Sequence, residues 1–271
     1  MNLQLFNIDC FEYLKSVPGN SVGCIVTDPP YGISFSGQTS NTSWDDMEQD
    51  EFYSFISKFL KEVYRVLKED GTCWLFCART MVPTVFKAID ESGLHNNLQN
   101  WLTYARQKGR GANKKLKSQA EEVLHLTKSN KYIWNNFEYL RECVVPYVLD
   151  GKPRGWFVDQ NTGMRMRWSG VGNVLCFTSP FFKSKFEKQI HSTQKPVLLL
   201  AELITLSSRP GDTVYDFFAG SGSTGVACEI VGRNFIGTEL DSEMHANGNE
   251  WLSNIDYELA KEYVQSRIRE K

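Results

Sequence analysis

The sequence predicts an α/β fold, a mainly parallel sheet with helices on both faces, interrupted by an insertion. Three observations carry this. Strand-length apolar runs alternate with helical periodicity in the first third of the chain, and the same alternation returns after Pro196. The stretch between them is basic and largely without period. A chain of 271 residues, 41% hydrophobic and 23% charged, is long enough for one large domain or for a domain with an insertion.

The elements follow in order. Residues 3–8 read as a short strand, 11–16 as a helical turn, and Pro18-Gly19-Asn20 as a break before a buried strand at 22–27. That strand ends at Asp28-Pro29-Pro30-Tyr31. Residues 32–50, rich in Gly, Ser, Asn and Asp, read as a long loop. Phe52, Phe55, Ile56, Phe59, Leu60 and Val63 recur at helical spacing and predict a helix over 51–67, ended by Asp70-Gly71. A strand at 73–77, a helix at 82–89 and a strand at 98–105 come next. Residues 106–120 read as a mobile loop, with two short strands at 122–127 and 131–134, and residues 135–190 show no assignable pattern. Order returns with an apolar helix at 197–207, a turn at Arg209-Pro210-Gly211-Asp212 and a strand at 213–218. A glycine loop at 220–225, a helix at 224–231, a strand at 235–239 and a mostly helical 241–270 complete the chain. No internal repeat is visible.

Composition excludes several classes. The longest apolar run, residues 73–78, is too short to span a membrane. The opening MNLQLFNIDCF has no basic leader and carries Asp9 within its apolar stretch, so it does not read as a signal peptide. Seven cysteines in apolar surroundings fit a reducing, cytoplasmic compartment. The four histidines lack zinc spacing and Cys73-x3-Cys77 reads as core packing, so no metal is expected. A net charge of -2 conceals an asymmetry, because residues 104–190 hold 16 Lys+Arg against 7 Asp+Glu and the rest holds 14 against 25. Trp134, Phe137, Tyr147, Trp156, Phe157 and Trp168 lie among those basic residues. Basic side chains among aromatics suit phosphate contact and base stacking on a nucleic acid.

Asp216-Phe217-Phe218-Ala219-Gly220-Ser221-Gly222-Ser223-Thr224-Gly225 contains G-x-G-x-x-G between a strand and a helix. Gly220 and Gly222 allow a tight turn and close approach to a ligand, and Glu239, ending the next strand, can hold ribose hydroxyls. The loop predicts an adenosine-type cofactor and leaves a dinucleotide and S-adenosylmethionine both open. At the other end of the chain, the tetrad sits at the carboxyl edge of its strand, where open α/β sheets place their sites. Each proline forces the residue before it into extended backbone, which fixes the Pro29 carbonyl beside the Asp28 carboxylate. Two rigid acceptors match the two N–H bonds of an exocyclic amine, and Tyr31 offers its ring to a planar base.

These motifs resemble the amino-group DNA methyltransferases, whose signatures D-P-P-Y and D-x-F-x-G-x-G stand here at 28–31 and 216–222. The order, tetrad first, then an insertion, then the glycine loop, is that of the β subclass. His191-Ser192-Thr193-Gln194-Lys195-Pro196 is similar to the family's H-P-T-Q-K-P, and Asn7-Ile8-Asp9-Cys10 to the segment whose Asp meets the cofactor's adenine. The sequence departs from the pattern at Asn7, Ser192 and Phe217, none of which removes a polar group the chemistry needs.

The resemblance implies a Rossmann-like S-adenosylmethionine methyltransferase sheet, with residues 1–105 and 191–271 catalytic and 106–190 a target-recognition insertion. It implies Asp28, Pro29, Pro30 and Tyr31 as catalytic residues acting on a base flipped from double-stranded DNA, without a covalent enzyme intermediate. Asp28 at the head of the tetrad favours adenine N6, with cytosine N4 the alternative; a nicotinamide dehydrogenase or a non-catalytic binding module would leave the tetrad unexplained. Cofactor contacts are expected from Asp9, Cys10, Asp28, Thr193, Gln194, Lys195, Asp216, Phe218, Gly220, Ser221, Gly222, Glu239 and Leu240. DNA contacts are expected from Trp44, Lys108, Arg110, Lys114, Lys115 and Lys117, with Trp44 closing the pocket over the base or, alternatively, serving loop packing. A homodimer and a separate cognate restriction endonuclease are left open by the sequence.

Overall fold

The computed structural model describes residues 1–31, 47–110, 116–160, 162–177, 187 and 193–270, the side chains of 107–110 and 270 excepted. Along the chain come β1 (Leu3–Asn7), α1 (Cys10–Ser16), β2 (Val22–Thr27), α2 (Gln49–Val66), β3 (Leu67–Cys77), α3 (Val82–Ser92), β4 (Leu98–Arg110) and β5 (Ser118–Thr127). Then follow β6 (Phe137–Glu142), β7 (Val148–Leu149), β8 (Lys152–Pro153), β9 (Phe157–Val158), β10 (Arg165–Ser169) and β11 (Val174–Phe177). The last part contributes α4 (Val197–Ser207), β12 (Thr213–Asp216), α5 (Ser223–Ile230), β13 (Asn234–Glu239), α6 (Ser242–Asn254), α7 (Tyr257–Gln265) and β14 (Ile268–Glu270).

An eight-stranded sheet has the order β1-β13-β12-β2-β3-β5-β4-β11. Its strands are parallel except β5, which runs antiparallel to both β3 and β4. Strand alternation sorts the side chains onto the two faces. Cys24, Val26, Trp74 and Phe76 enter the core beneath α4 and α5, whereas Ile25, Cys73, Leu75 and Cys77 enter the core beneath α1, α2 and α3. The expected α/β sheet with helices on both faces is therefore present. Among the described residues no helix is long and apolar enough to cross a membrane, and all seven cysteines are free, six of them buried.

Four local expectations are corrected. Asp70-Gly71 does not end a helix but lies inside β3, at a register shift opposite Val22 and Cys24. A Cβ at Gly71 would meet Lys68 O at 2.9 Å and Val22 O at 3.0 Å, so glycine here serves close strand approach and not a turn. Of residues 106–120, those described are largely strand, because β4 runs through Arg110 and β5 begins at Ser118. Residues 131–134 are not a strand; Tyr132 and Trp134 instead pack their rings on His125, which stacks on Trp74. The C-terminal stretch ends in β14, which pairs with β6.

Of the stretch 106–190, β5 and β11 are strands of the main sheet. A four-stranded antiparallel sheet, β14-β6-β10-β9, stands beside it, with β7 and β8 forming a separate hairpin. Helix α4 is apolar on every side and lies buried between the two sheets, as a helix without a polar face must. Tyr139 of β6 donates from its hydroxyl to the Glu202 carbonyl at 3.1 Å, and Arg141 donates to Glu202 Oε2 at 2.6 Å.

Candidate active site

Four neighbouring strands, β1, β13, β12 and β2, end on the same side of the sheet, and their carboxyl ends open into one cleft of about 430 Å³. The glycine loop forms one wall. Gly220 and Gly222 take φ values of +51° and +79°, in the left-handed region that glycine enters without cost. A Cβ on Gly220 would meet nothing within 4 Å, so the loop leaves room at that point for a ligand to lie against the backbone. Glu239, at the end of β13, accepts from Gly220 N at 2.8 Å and from Asp241 N at 2.9 Å. Its carboxylate is thereby fixed at the cleft edge with further lone pairs to offer. Asp9 caps α1, its Oδ1 accepting from Phe11 N at 2.9 Å and Glu12 N at 3.1 Å. The Asn7 amide donates to the carbonyls of Glu239 and Leu240 at 2.9 and 3.0 Å, joining β1 to β13 beside the cleft.

Asp216 supports the loop from below. Its oxygens accept from Thr27 Oγ1 at 2.9 Å, Phe218 N at 3.1 Å and Thr224 Oγ1 at 2.6 Å, linking β2, β12 and α5. Burial pushes this carboxyl up to about 6, against those three hydrogen bonds.

The tetrad forms the opposite wall. Tyr31 donates to Asp28 Oδ1 at 2.5 Å, and Lys195 Nζ donates to Asp28 Oδ2. Lys195 is 5% exposed and stands 3.2 Å from Glu121 Oε2, whose partner oxygen takes Arg106 Nη1 at 2.9 Å. Burial pushes the Asp28 carboxyl above its ordinary range, opposed by the charge of Lys195. Burial works against the Lys195 ammonium, but Asp28 and Glu121 outweigh it and hold its pKa above the usual value. Burial also pushes the Cys10 thiol up to about 12, which leaves it a poor nucleophile.

Of the residues expected to make the site, Asp9, Cys10, Asp28, Pro29, Pro30, Tyr31, Thr193, Gln194, Lys195, Asp216, Phe218, Gly220, Ser221, Glu239 and Leu240 all line this cleft. Gly222 does not; it is the N-cap of α5. Trp44, Lys114 and Lys115, with His191 and Ser192, lie outside the described residues, as do the side chains of Lys108 and Arg110 on β4. Lys117 is exposed. Of the aromatics read as stacking groups, Trp134 packs on His125 and Phe137 packs against the core. Sequence reasoning missed Glu121, although an acidic pair in an otherwise basic stretch was a signal of it. It also missed the apolar lining from Met47, Phe55 and Met244.

A glycine loop with a terminal carboxylate on one wall and a rigid acidic tetrad on the other defines an enzyme of the nucleoside-cofactor α/β class. Comparison with known proteins gives the family. The DNA methylase family matches residues 22–250. The chain belongs to this family, the N6/N4 amino-group DNA methyltransferases. Among its relatives, the type II methyltransferase M.HpaI of Haemophilus parainfluenzae is 29% identical over 90% of this chain and 72% of its own length. M1.MboII of Moraxella bovis is 28% identical over 93% and 97%, and the DNA adenine methyltransferase YhdJ of Escherichia coli K12 is 28% identical over 96% and 86%. In fold the chain is similar to the M1.HpyAVI–SAM complex, with TM-score 0.61 and 21% identity over 92% of this chain and 98% of that one. It is also similar to the cytosine-N4-specific PvuII DNA methyltransferase, with TM-score 0.68 and 18% identity over 98% and 91%. S-adenosylmethionine is the cofactor of the family. The open approach at Gly220, the carboxylates of Asp9 and Glu239, and the apolar lining suit its adenosine part.

Proposed function

We propose that this DNA methyltransferase acts on the exocyclic N6 amine of an adenine flipped out of double-stranded DNA, within a specific sequence. The observation that carries the reading is Asp28. A half-buried carboxylate beside the constrained Pro29 carbonyl faces the same cleft as the glycine loop, so an amine and a cofactor can meet there. YhdJ, similar along most of the chain, is itself named an adenine methyltransferase. The fold similarity to a cytosine-N4 enzyme keeps cytosine N4 as the second reading.

In this reading Glu239 holds the ribose hydroxyls, Asp9 the adenine edge, and Thr193 and Gln194 the remainder of the cofactor, which supplies an electrophilic sulfonium methyl when bound. An aromatic amine is a poor nucleophile because its lone pair is delocalised into the ring. Asp28 and the Pro29 carbonyl accept its two N–H bonds, which localises that lone pair and stabilises the positive charge that develops on nitrogen. Tyr31 stacks on the extruded base. The stretch 106–190 supplies target recognition, with Lys108, Arg110 and Lys117 on phosphates.

Two experiments test this. Sequencing DNA from cells expressing the chain should show N6-methyladenine at one recurring site; N4-methylcytosine there would select the second reading. The Asp28→Ala variant should lose methyl transfer while calorimetry finds S-adenosylmethionine affinity within about threefold of wild type. Substantial turnover by that variant, with DNA bound normally, would remove Asp28 from its role.

A further inference from the structure

The proposed reading gives the target nucleotide two of its partners here, the Asp28 carboxylate for its amine and the Tyr31 ring for its base. One group of the chain already uses both. Lys195 Nζ donates to Asp28 Oδ2, and it lies over the Tyr31 ring at 5.6 Å from the centroid and over Phe76 at 5.2 Å. An ammonium with N–H donors therefore stands where an amine with N–H donors must bind. Left in place, it would withhold the acceptor and repel the charge that develops on the amine.

A second carboxylate is within reach. Glu121 on β5 places Oε2 3.2 Å from Lys195 Nζ, and Arg106 on β4 takes the other oxygen at 2.9 Å. The side chains of Lys195 and Glu121 are only 6% and 12% exposed, so a displaced ammonium at this depth needs a carboxylate and cannot simply turn to solvent. With Arg106 anchoring Glu121 from the far side, a small rotation about the Lys195 side chain transfers the ammonium from one carboxylate to the other.

We propose that Lys195 is an internal stand-in for the target amine, and that Glu121 is the positioning residue that receives its ammonium when the amine takes Asp28. The inference rests on the reading of Asp28 as the amine's acceptor. The exchange is non-covalent and conserves charge, since one cation is shared between the same two carboxylates before and after. It assigns to Lys195 a task toward the base, where the sequence motif pointed to the cofactor.

The test uses tritiated S-adenosylmethionine and unmethylated double-stranded DNA carrying the site found by sequencing. Glu121→Gln should lower kcat by about 10- to 100-fold, because the ammonium keeps its hold on Asp28. KM for DNA and cofactor affinity should stay within about threefold. Glu121→Asp, which keeps a carboxylate, should recover part of the loss. Adding Lys195→Met to Glu121→Gln should raise kcat above that of the single variant, since no cation is left to compete; a purely structural Glu121 allows no such rescue. Wild-type kcat in Glu121→Gln, or a double variant no faster than the single one, overturns the proposal. If thermal melting shows that the Gln variant does not fold, Glu121→Ala with and without Lys195→Met carries the test, and a double variant no faster than the single one overturns the proposal equally. Failure of the underlying reading looks different: Asp28→Ala would keep substantial turnover, or the wild-type enzyme itself would leave DNA amines unmethylated.

Discussion

Asp216 carries a charge problem that its neighbours only partly solve. Three hydrogen bonds reach its oxygens, yet burial still raises the carboxyl from 3.8 to about 6. A carboxyl whose folded value is raised contributes stability that is fully present below the unfolded value and is lost as pH climbs through the folded one. Between those two values the unfolded chain releases its proton first, so wild type should lose stability relative to Asp216→Asn as pH rises from about 4 to about 6. Urea titrations of both proteins across that range measure the effect, and a constant difference would contradict it. Residues of this kind were legible in the sequence because their meaning is local. Asp28, Gly220 and Asp216 announce themselves through immediate neighbours, a proline pair or a glycine loop. Glu121 does not. Its place beside Lys195 depends on which strand β5 pairs with and in what register, and no short window of sequence contains that.

At the scale of elements, the third glycine of the loop motif has a packing duty rather than a ligand duty. A Cβ on Gly225, in α5, would lie 2.8 Å from the Phe235 ring and 2.9 Å from a Leu252 methyl. Helix α5 can approach β13 this closely because nothing projects there. Gly225→Ala should therefore destabilise the protein by about 1–3 kcal/mol as overpacking, readable as a lower urea midpoint at unchanged m value. Helix α4 has a different weak point. Glu202 is 3% exposed and paired with Arg141 across the junction with the small sheet. Burial already holds the Glu202 carboxyl up at about 7 against the pull of Arg141, so Arg141→Ala should cost little stability below neutral pH and progressively more as pH rises above about 7. Urea titrations of both proteins across that range check this, and a cost independent of pH would contradict it. The burial of α4 was readable from its apolar residues on every side. The pairing of β14 was not, since Ile268-Arg269-Glu270 is too short to show alternation and its partner β6 lies 126 or more residues away in sequence.

Across the whole molecule, the basic excess of residues 104–190 is set against an acidic remainder. If it meets DNA as proposed, replacing Lys108, Arg110 and Lys117 with Ala should flatten the log–log salt dependence of binding by about 0.9 per lost phosphate contact. The preferred site should be kept, because phosphate contacts position a protein without reading bases. An unchanged slope would return those side chains to solvent. The sheet order β1-β13-β12-β2 has another consequence. β1 and β2 are consecutive in the chain, but two strands from its other end lie between them. During synthesis the first half must therefore wait with both facing edges unpaired. Such edges invite pairing with other chains, and strands that close over a long loop fold slowly. Neither wall of the cleft can meet the other until β12 and β13 slide into that gap. β12 and β13 thus act as the wedge that sets the two walls of the cleft at working distance, and until they arrive the facing edges of β1 and β2 stay open to mispairing.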